Sequence, residues 1–327
     1  MTLTDHVAIA LDFSEPSEQA ARAAFELASL TGANKLTVLH ATRDVVLPSG
    51  DTPELRQRLE DLRKRLTTAA EQQLSELCQR VSSQPCDRMV VRGRPSEAIP
   101  RALESMGATL LVLGTHARRG LRRMFMGSIA EDLLRGLSIP ALVTMVGEDE
   151  VPPDEELRAL RHIVVGIDLT DEAEDIVAAV VSLLGRAAQS RPLTVHLVHS
   201  LETREELEAL IREERDALQS ESRLVARDVQ NVERRRADEL FESLAPRLQA
   251  AGFELVRHVG EGDFVETAAS LIESLPAQLV VVGTHGRHNA PLLDLGSTAT
   301  RMVRASAVSV LVVPSRAPEA RSDVDAG

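Results

Sequence analysis

The chain repeats itself. Gly-Thr-His at residues 114–116 recurs at 283–285, and Gly127-Ser128 recurs as Gly296-Ser297 at one and the same interval. A triplet and a Gly-Ser pair held at a single spacing mark a duplicated unit, and the fold must then be one that each half can build with its own elements. Each half opens on a β-branched run that ends in an acid: VAIALDFS with Asp12, IVVGIDLT with Asp168. An Ala-rich amphipathic stretch follows, then KLTVLHA or LTVHLVHS. Long charged helical stretches, from about Pro53 to Ser83 and from about Arg204 to Ala251, lead into RMVVRG and ELVRHVG. TLLVLGTHA and QLVVVGTHG come next, and the halves close with PALVTMV and VSVLVV.

Strand runs that are continuously apolar, rather than alternating, belong to strands covered on both faces. Alternating with helical stretches, they predict an α/β fold: two tandem open parallel five-stranded sheets with helices on both faces, Rossmann-like in kind. The expected division is a first domain over 1–146, an acidic linker over 147–159 (GEDEVPPDEELRA), a second domain over 160–315 and a disordered tail over 316–327. The two closing strands would be exposed apolar edges if left alone, so the halves are expected to pair through them. Within each half a doubly wound order sets the ends of strands one and four at a topological switch point, where ligands bind.

Composition narrows the function. Lys and Arg total 37 against 50 Asp and Glu, a net charge of -13, with no Trp or Tyr and only 6 Phe. Neither the charge nor the aromatic supply suits nucleic acid. No apolar run approaches the roughly 18 residues of a membrane span. The N-terminus lacks the basic start of a secretory signal and meets an acid at Asp5. Two cysteines, Cys78 and Cys86, are too few for a disulfide scaffold or a structural zinc site, and they fit a reducing cytoplasm.

The glycine motifs suit a phosphate. Gly114 and Gly283 follow strand four, and Gly127-Ser128 and Gly296-Ser297 precede helical runs. Glycine lets backbone approach an anion, and free N–H groups at a helix start attract one. The same residues also suit plain turns. Asp12 and Asp168, at strand ends, suit hydrogen bonds to ribose hydroxyls, or else cap the first helix of each half. Arg118, Arg119, Arg122 and Arg123 form a basic run suited to polyphosphate, or a solvated face. His285 and His288 lack a third ligand nearby, so no metal site is assigned. His40 and His199, closing strand two, read as satisfied core histidines. In the Arg204–Arg247 stretch, Leu207, Leu210, Ile211, Leu218, Leu224, Val225, Val229 and Val232 recur at helical spacing. They read as a partner-binding face or as the packed face of a crossover helix.

Gly283, Gly286, Gly296 and Ser297 match the pattern G-x2-G-x9-G-[ST], and with Asp12-Phe13-Ser14-Glu15 they make the chain resemble a tandem universal stress protein of the ATP-binding branch. The resemblance covers nearly the whole chain. It implies adenine and ribose held at Asp12 and by backbone at Ala41 in the first half, with phosphates at Gly114, Gly127 and Ser128. In the second half it implies Asp168 and Ser200, with Gly283, Gly286, Gly296 and Ser297. Ala117 stands where the family has its second glycine, and Asp294 adds a carboxylate to the second loop. Ala117 and Arg118 complete the candidate nucleotide sites, and Asp294, which would repel phosphate, is not counted among them. The second cradle is expected to bind more tightly, because a non-Gly residue at positive φ costs about 1 kcal/mol.

The expected function is that of an ATP-binding stress-response regulator, with Mg²⁺ on the phosphates. No catalytic residues are assigned, because no Walker motif and no paired catalytic carboxylates occur. Slow ATP hydrolysis is implied only by the resemblance. The expected partners are adenine nucleotide and an unidentified protein, with no nucleic acid and no membrane. The halves pair within the chain, and homodimers remain open. The alternative is a nucleotide-free interaction scaffold, its crevices empty or holding a nonpolar ligand.

Overall fold

The computed structural model describes residues 2–44, 52–116, 128–146, 151–170, 172–205, 207, 209, 219–284 and 297–314. The first half runs β1 (Val7–Leu11), α1 (Glu15–Thr31), β2 (Leu36–Thr42), α2 (Pro53–Val81), β3 (Asp87–Arg92), α3 (Pro95–Met106), β4 (Leu110–His116), α4 (Ser128–Gly136) and β5 (Ala141–Val146). A short helix, α5 (Pro153–Arg158), leads to β6 (His162–Gly166), α6 (Glu172–Ala188) and β7 (Thr194–Leu201). The chain continues with α7 (Gln219–Ala250), β8 (Glu254–Glu261), α8 (Phe264–Ser274), β9 (Leu279–Gly283), α9 (Ser297–Ala305) and β10 (Ser309–Val313).

All ten strands form one sheet in the order β3-β2-β1-β4-β5-β10-β9-β6-β7-β8. Each half is parallel within itself and has the same internal order, with its switch point between its first and fourth strands. The two halves meet where Val143 of β5 lies opposite Val310 of β10 in an antiparallel pair. The expected pairing of closing strands is therefore present. Because that one pair is antiparallel, the carboxyl ends of the strands point in opposite directions in the two halves.

Period-two alternation along buried strands sends successive side chains to opposite faces. Val7, Ile9 and Leu11 join one apolar layer with α1, α2, α6 and α7, which runs through both halves. Ala8 and Ala10 join the other, with α3, α4, α8 and α9. α1 shows how local chemistry sets an element. Ser14 caps its start, Pro16 sits in its first turn, and Gly32 closes it at φ 69°. Its small inner face, including Ala20, Ala24 and Ala28, lets it lie close to the sheet.

The segment read as a linker is helical over Pro153–Arg158. Pro152 and Pro153 preset its start, and Asp154, Glu155 and Glu156 face the positive end of its dipole. Leu157 is buried, the Arg158 guanidinium donates to Glu26 of α1 at 2.9 Å, and the Arg191 guanidinium donates to the carbonyls of Leu157 and Arg158. The prolines thus begin a docked helix. The tail from residue 315 and the acidic run 147–150 lie outside the described residues.

Candidate functional site

The register builds the crevices. In the first half Leu11 lies opposite His40, so Asp12 and Ala41 follow together at the carboxyl end of β1 and β2. Val112 of β4 is level with Ile9, which brings Gly114 to the end of β1 from the other side. In the second half Gly166 lies opposite Val198, so Asp168 and Ser200 come together, and Val281 level with Val165 brings Gly283 alongside. Each switch point therefore gathers its strand-one acid, its strand-two residue and its strand-four glycine. Ser128 and Ser297 begin α4 and α9. Ala117, Arg118, Arg119, Arg122, Arg123 and Gly127 lie outside the described residues, as do His285, Gly286, His288, Asp294 and Gly296.

The two acids are held differently. Asp12 is exposed, and its Oδ1 accepts from the Ser14 amide and hydroxyl. Partial burial pushes its carboxyl pKa up, but the Ser14 hydrogen bonds win and hold it below the usual aspartate value. Asp168 repeats the turn, with Oδ1 accepting from the Thr170 amide and hydroxyl. Its Oδ2 is buried and has no hydrogen-bond partner among the described residues. A buried acceptor left this way costs roughly 1–3 kcal/mol, so the position is primed for a donor.

His40 and His199 hold the strand ends. The Nδ1 of each donates to the carbonyl just before the acid, Leu11 at 2.8 Å and Ile167 at 2.7 Å. They are satisfied histidines, as the sequence suggested. Phe13, at φ 62°, lays its ring against His40 with centroids 4.4 Å apart. Leu169 follows Asp168 at the corresponding place and instead lines an open groove of about 620 Å³. Val225, Val229 and Val232 of α7 form its apolar wall. Glu233, nearly buried, sets its Oε1 4.0 Å from the His199 Nε2.

That wall goes against the second of the two readings of this stretch, in which these residues are the packed face of the helix. Leu224, Val225, Val229 and Val232 are exposed, while α7 packs inward through Ala226, Ala237, Phe241, Leu244 and Leu248. The inward face starts with small and polar residues, Gln230 and Glu233 among them, and so gave no apolar periodicity to read. Of the other positions in that stretch, Leu207 is buried, and Leu210, Ile211 and Leu218 lie outside the described residues.

Two further site features escaped the motif reading. Gly114 lacks a Cβ because α1 passes over it: a methyl group there would stand 2.1 Å from the Pro16 carbonyl oxygen. Close packing at the crevice floor therefore requires glycine here, whatever it does for a ligand. Asp263 caps α8 and takes both Arg301 guanidinium nitrogens, at 2.6 and 2.7 Å, which ties the Gly-Ser helix α9 to its neighbour. Burial raises the Asp263 pKa, and the Arg301 pairing more than offsets it. An Asp directly before an apolar run was the available signal. Among the described residues no cluster of three or more metal-ligating side chains occurs. No described helix is long and apolar enough to cross a membrane.

The profile of the Universal stress protein family matches residues 4–144 and 159–314. A universal stress protein of Mycobacterium tuberculosis strain H37Rv is 31% identical over 219 residues, covering 66% of each chain. Another from that strain is 30% identical over 154 residues, 45% of this chain and 46% of the relative. The chain thus matches about half the length of that relative. Among solved structures, a universal stress protein from Archaeoglobus fulgidus superposes with a TM-score of 0.64 at 17% identity, over 95% of this chain and 98% of that one. A functionally unknown protein from Pseudomonas aeruginosa PAO1 follows at 0.55 and 15%, over 95% and 94%. At these identities the structures speak for the fold.

Proposed function

The chain belongs to the universal stress protein family, and from that premise we propose that it is a cytoplasmic stress-response regulator that binds adenine nucleotide without a dedicated catalytic apparatus. The observation that carries this reading is the buried Oδ2 of Asp168, which has no hydrogen-bond partner among the described residues, next in sequence to Leu169 on the wall of the groove. A ribose hydroxyl supplies the missing donor. The groove lies within the usual range for small-molecule sites, roughly 300–1,000 Å³, and its Val and Leu walls accept a flat base. The Ser200 hydroxyl is taken up by Thr267 at 3.2 Å, so a ligand at this strand end would meet backbone rather than the hydroxyl. Phosphates would extend toward the start of α9, bringing Mg²⁺ with them.

The second crevice is proposed as the tighter one. Both acids take the same turn hydrogen bonds, but Asp12 is exposed to water whereas the Asp168 Oδ2 is buried, so a ligand gains less at the first. Asp168→Ala is expected to weaken the tighter ATP site about tenfold, near 1.4 kcal/mol, and Asp12→Ala to do less. Calorimetric titration separates the two, and Gly286→Ala with Ala117→Gly tests the loops in the same assay. Native mass spectrometry of gently purified protein decides the larger question. With no nucleotide mass and no ATP-dependent rise in melting temperature, the nucleotide-free scaffold becomes the correct reading.

A further inference from the structure

The chain has two cysteines in all. They lie on different elements, Cys78 in the last turn of α2 and Cys86 just before β3, yet the Cys86 thiol donates to the Cys78 sulfur at 3.2 Å. The turn from the end of α2 into β3 brings these two positions, eight residues apart, face to face. We propose that Cys78 and Cys86 form a peroxide-oxidisable dithiol, a modification site that closes as an intramolecular disulfide and staples α2 to the edge strand β3.

The surroundings divide the labour between the sulfurs. Cys86 is half-buried and reachable by a small oxidant, whereas Cys78 is buried against the core that includes Leu74 and Leu77. Burial, reinforced by Cys86, pushes the Cys78 thiol pKa up, and Arg88 on β3 opposes this only in part. Cys78 is thus the poor nucleophile and Cys86 the first to react. The Cys86 thiolate, its proton released to water, attacks one peroxide oxygen. The O–O bond breaks, giving Cys86 sulfenic acid and hydroxide. The Cys78 sulfur then attacks the Cys86 sulfur. The S–S bond forms as the S–O bond breaks, and the Cys78 proton leaves with the departing hydroxide as water. One peroxide is reduced to two waters, and the two thiols lose two electrons between them.

Geometry favours closure. A disulfide of about 2.05 Å requires the sulfurs to approach by about 1.2 Å, within the reach of side-chain rotation. The turn between them is already shaped by its own hydrogen bonds: the Ser82 amide donates to the Cys78 carbonyl at 3.1 Å, and the Gln84 amide to the Ser82 hydroxyl at 3.0 Å. The reduced pair is what a reducing compartment maintains, and transient intracellular disulfides are usually redox-sensing.

The test uses the full chain, fully reduced and then titrated with hydrogen peroxide. Remaining thiols are alkylated after denaturation, and intact mass and peptide maps are read. The expected product is monomeric, has lost two hydrogens, takes up no alkylating agent, carries a 78–86 crosslink and reverts with dithiothreitol. Cys86→Ser and Cys78→Ala, two independent and small changes, should each abolish the crosslink. In Cys78→Ala, Cys86 should instead accumulate oxygen adducts. If the parent chain keeps both thiols alkylatable while its methionines oxidise, or halts at an oxygen adduct on Cys86, the dithiol assignment is wrong.

Discussion

Gly114→Ala is expected to destabilise the chain by about 3 kcal/mol, at the upper end of what overpacking a core usually does. The added methyl group would meet the Pro16 carbonyl oxygen at 2.1 Å, the Pro16 carbonyl carbon at 2.5 Å and the Ser17 nitrogen at 2.9 Å. All three atoms are backbone in the first turn of α1, so no side chain can swing aside. Relief requires β4 and α1 to separate. The start of α1 is fixed by the Ser14 cap and by the Asp12–Ser14 hydrogen bonds, so that movement also displaces the first crevice. Urea unfolding of Gly114→Ala against the parent measures the effect, and a difference below about 1 kcal/mol would show that α1 yields easily.

Stability should also fall by about 3 kcal/mol as pH drops from 6.5 to about 4, through His196 alone. His162, His196 and His258 form a row across β6, β7 and β8. The His162 Nδ1 lies 3.1 Å from the His196 Nε2, and the His196 Nδ1 lies 3.0 Å from the His258 Nε2. Burial of His196, then the neighbouring His258 and His162, lowers its pKa from 6.5 to about 4. Burial also lowers His258 and His6. A histidine with a depressed folded pKa binds fewer protons folded than unfolded. Its stabilisation is complete above about pH 6.5 and is lost as pH falls toward the folded value. The proton count agrees. A neutral central ring donates to one neighbour and accepts from the other, so protons on both outer rings would set a donor against a donor. The lowered carboxylates, Asp12 and Asp263 among them, act in a separate window, below their unfolded pKa near 4. Unfolding free energies at several pH values between 4.5 and 7.5 should slope upward in the parent and less steeply in His196→Gln. Equal slopes would remove His196 as the cause.

The fold was legible because it is written twice and in apolar residues. VAIAL and its counterpart in β6 are buried on both faces, and buried strands carry their own signature in sequence. The placement of Asp12 and Gly114, and of Asp168 and Gly283, followed from strand order, whereas Ala41 and Ser200 came from the family resemblance. Less was legible where a residue's reason is a neighbour distant in sequence. Gly114 answers to Pro16, Arg301 to Asp263, and Leu157 to α1, and no local pattern records such pairs. On α7, Ala226, Gln230 and Glu233 turn inward and the valines outward, because the β7 end they face carries polar groups, including the Glu202 carbonyl that accepts from Gln230 at 2.8 Å.

The single antiparallel seam has a consequence for synthesis. β5 is complete at Val146, but its partner β10 does not begin until Ser309. At the usual 5–20 residues per second, a ribosome needs roughly 10–30 s to make the intervening chain. For that interval the nascent first half holds an apolar strand with one side unpaired, a template for joining another nascent copy. The finished molecule hides this hazard at its centre and leaves at its rims β3 and β8, whose half-exposed strands carry Asp87, Arg88 and Arg92, and Glu254, Arg257 and Glu261. Charges of both signs at the outer strands guard the mature sheet, but the growing chain must rely on speed or on a chaperone until its last strand arrives.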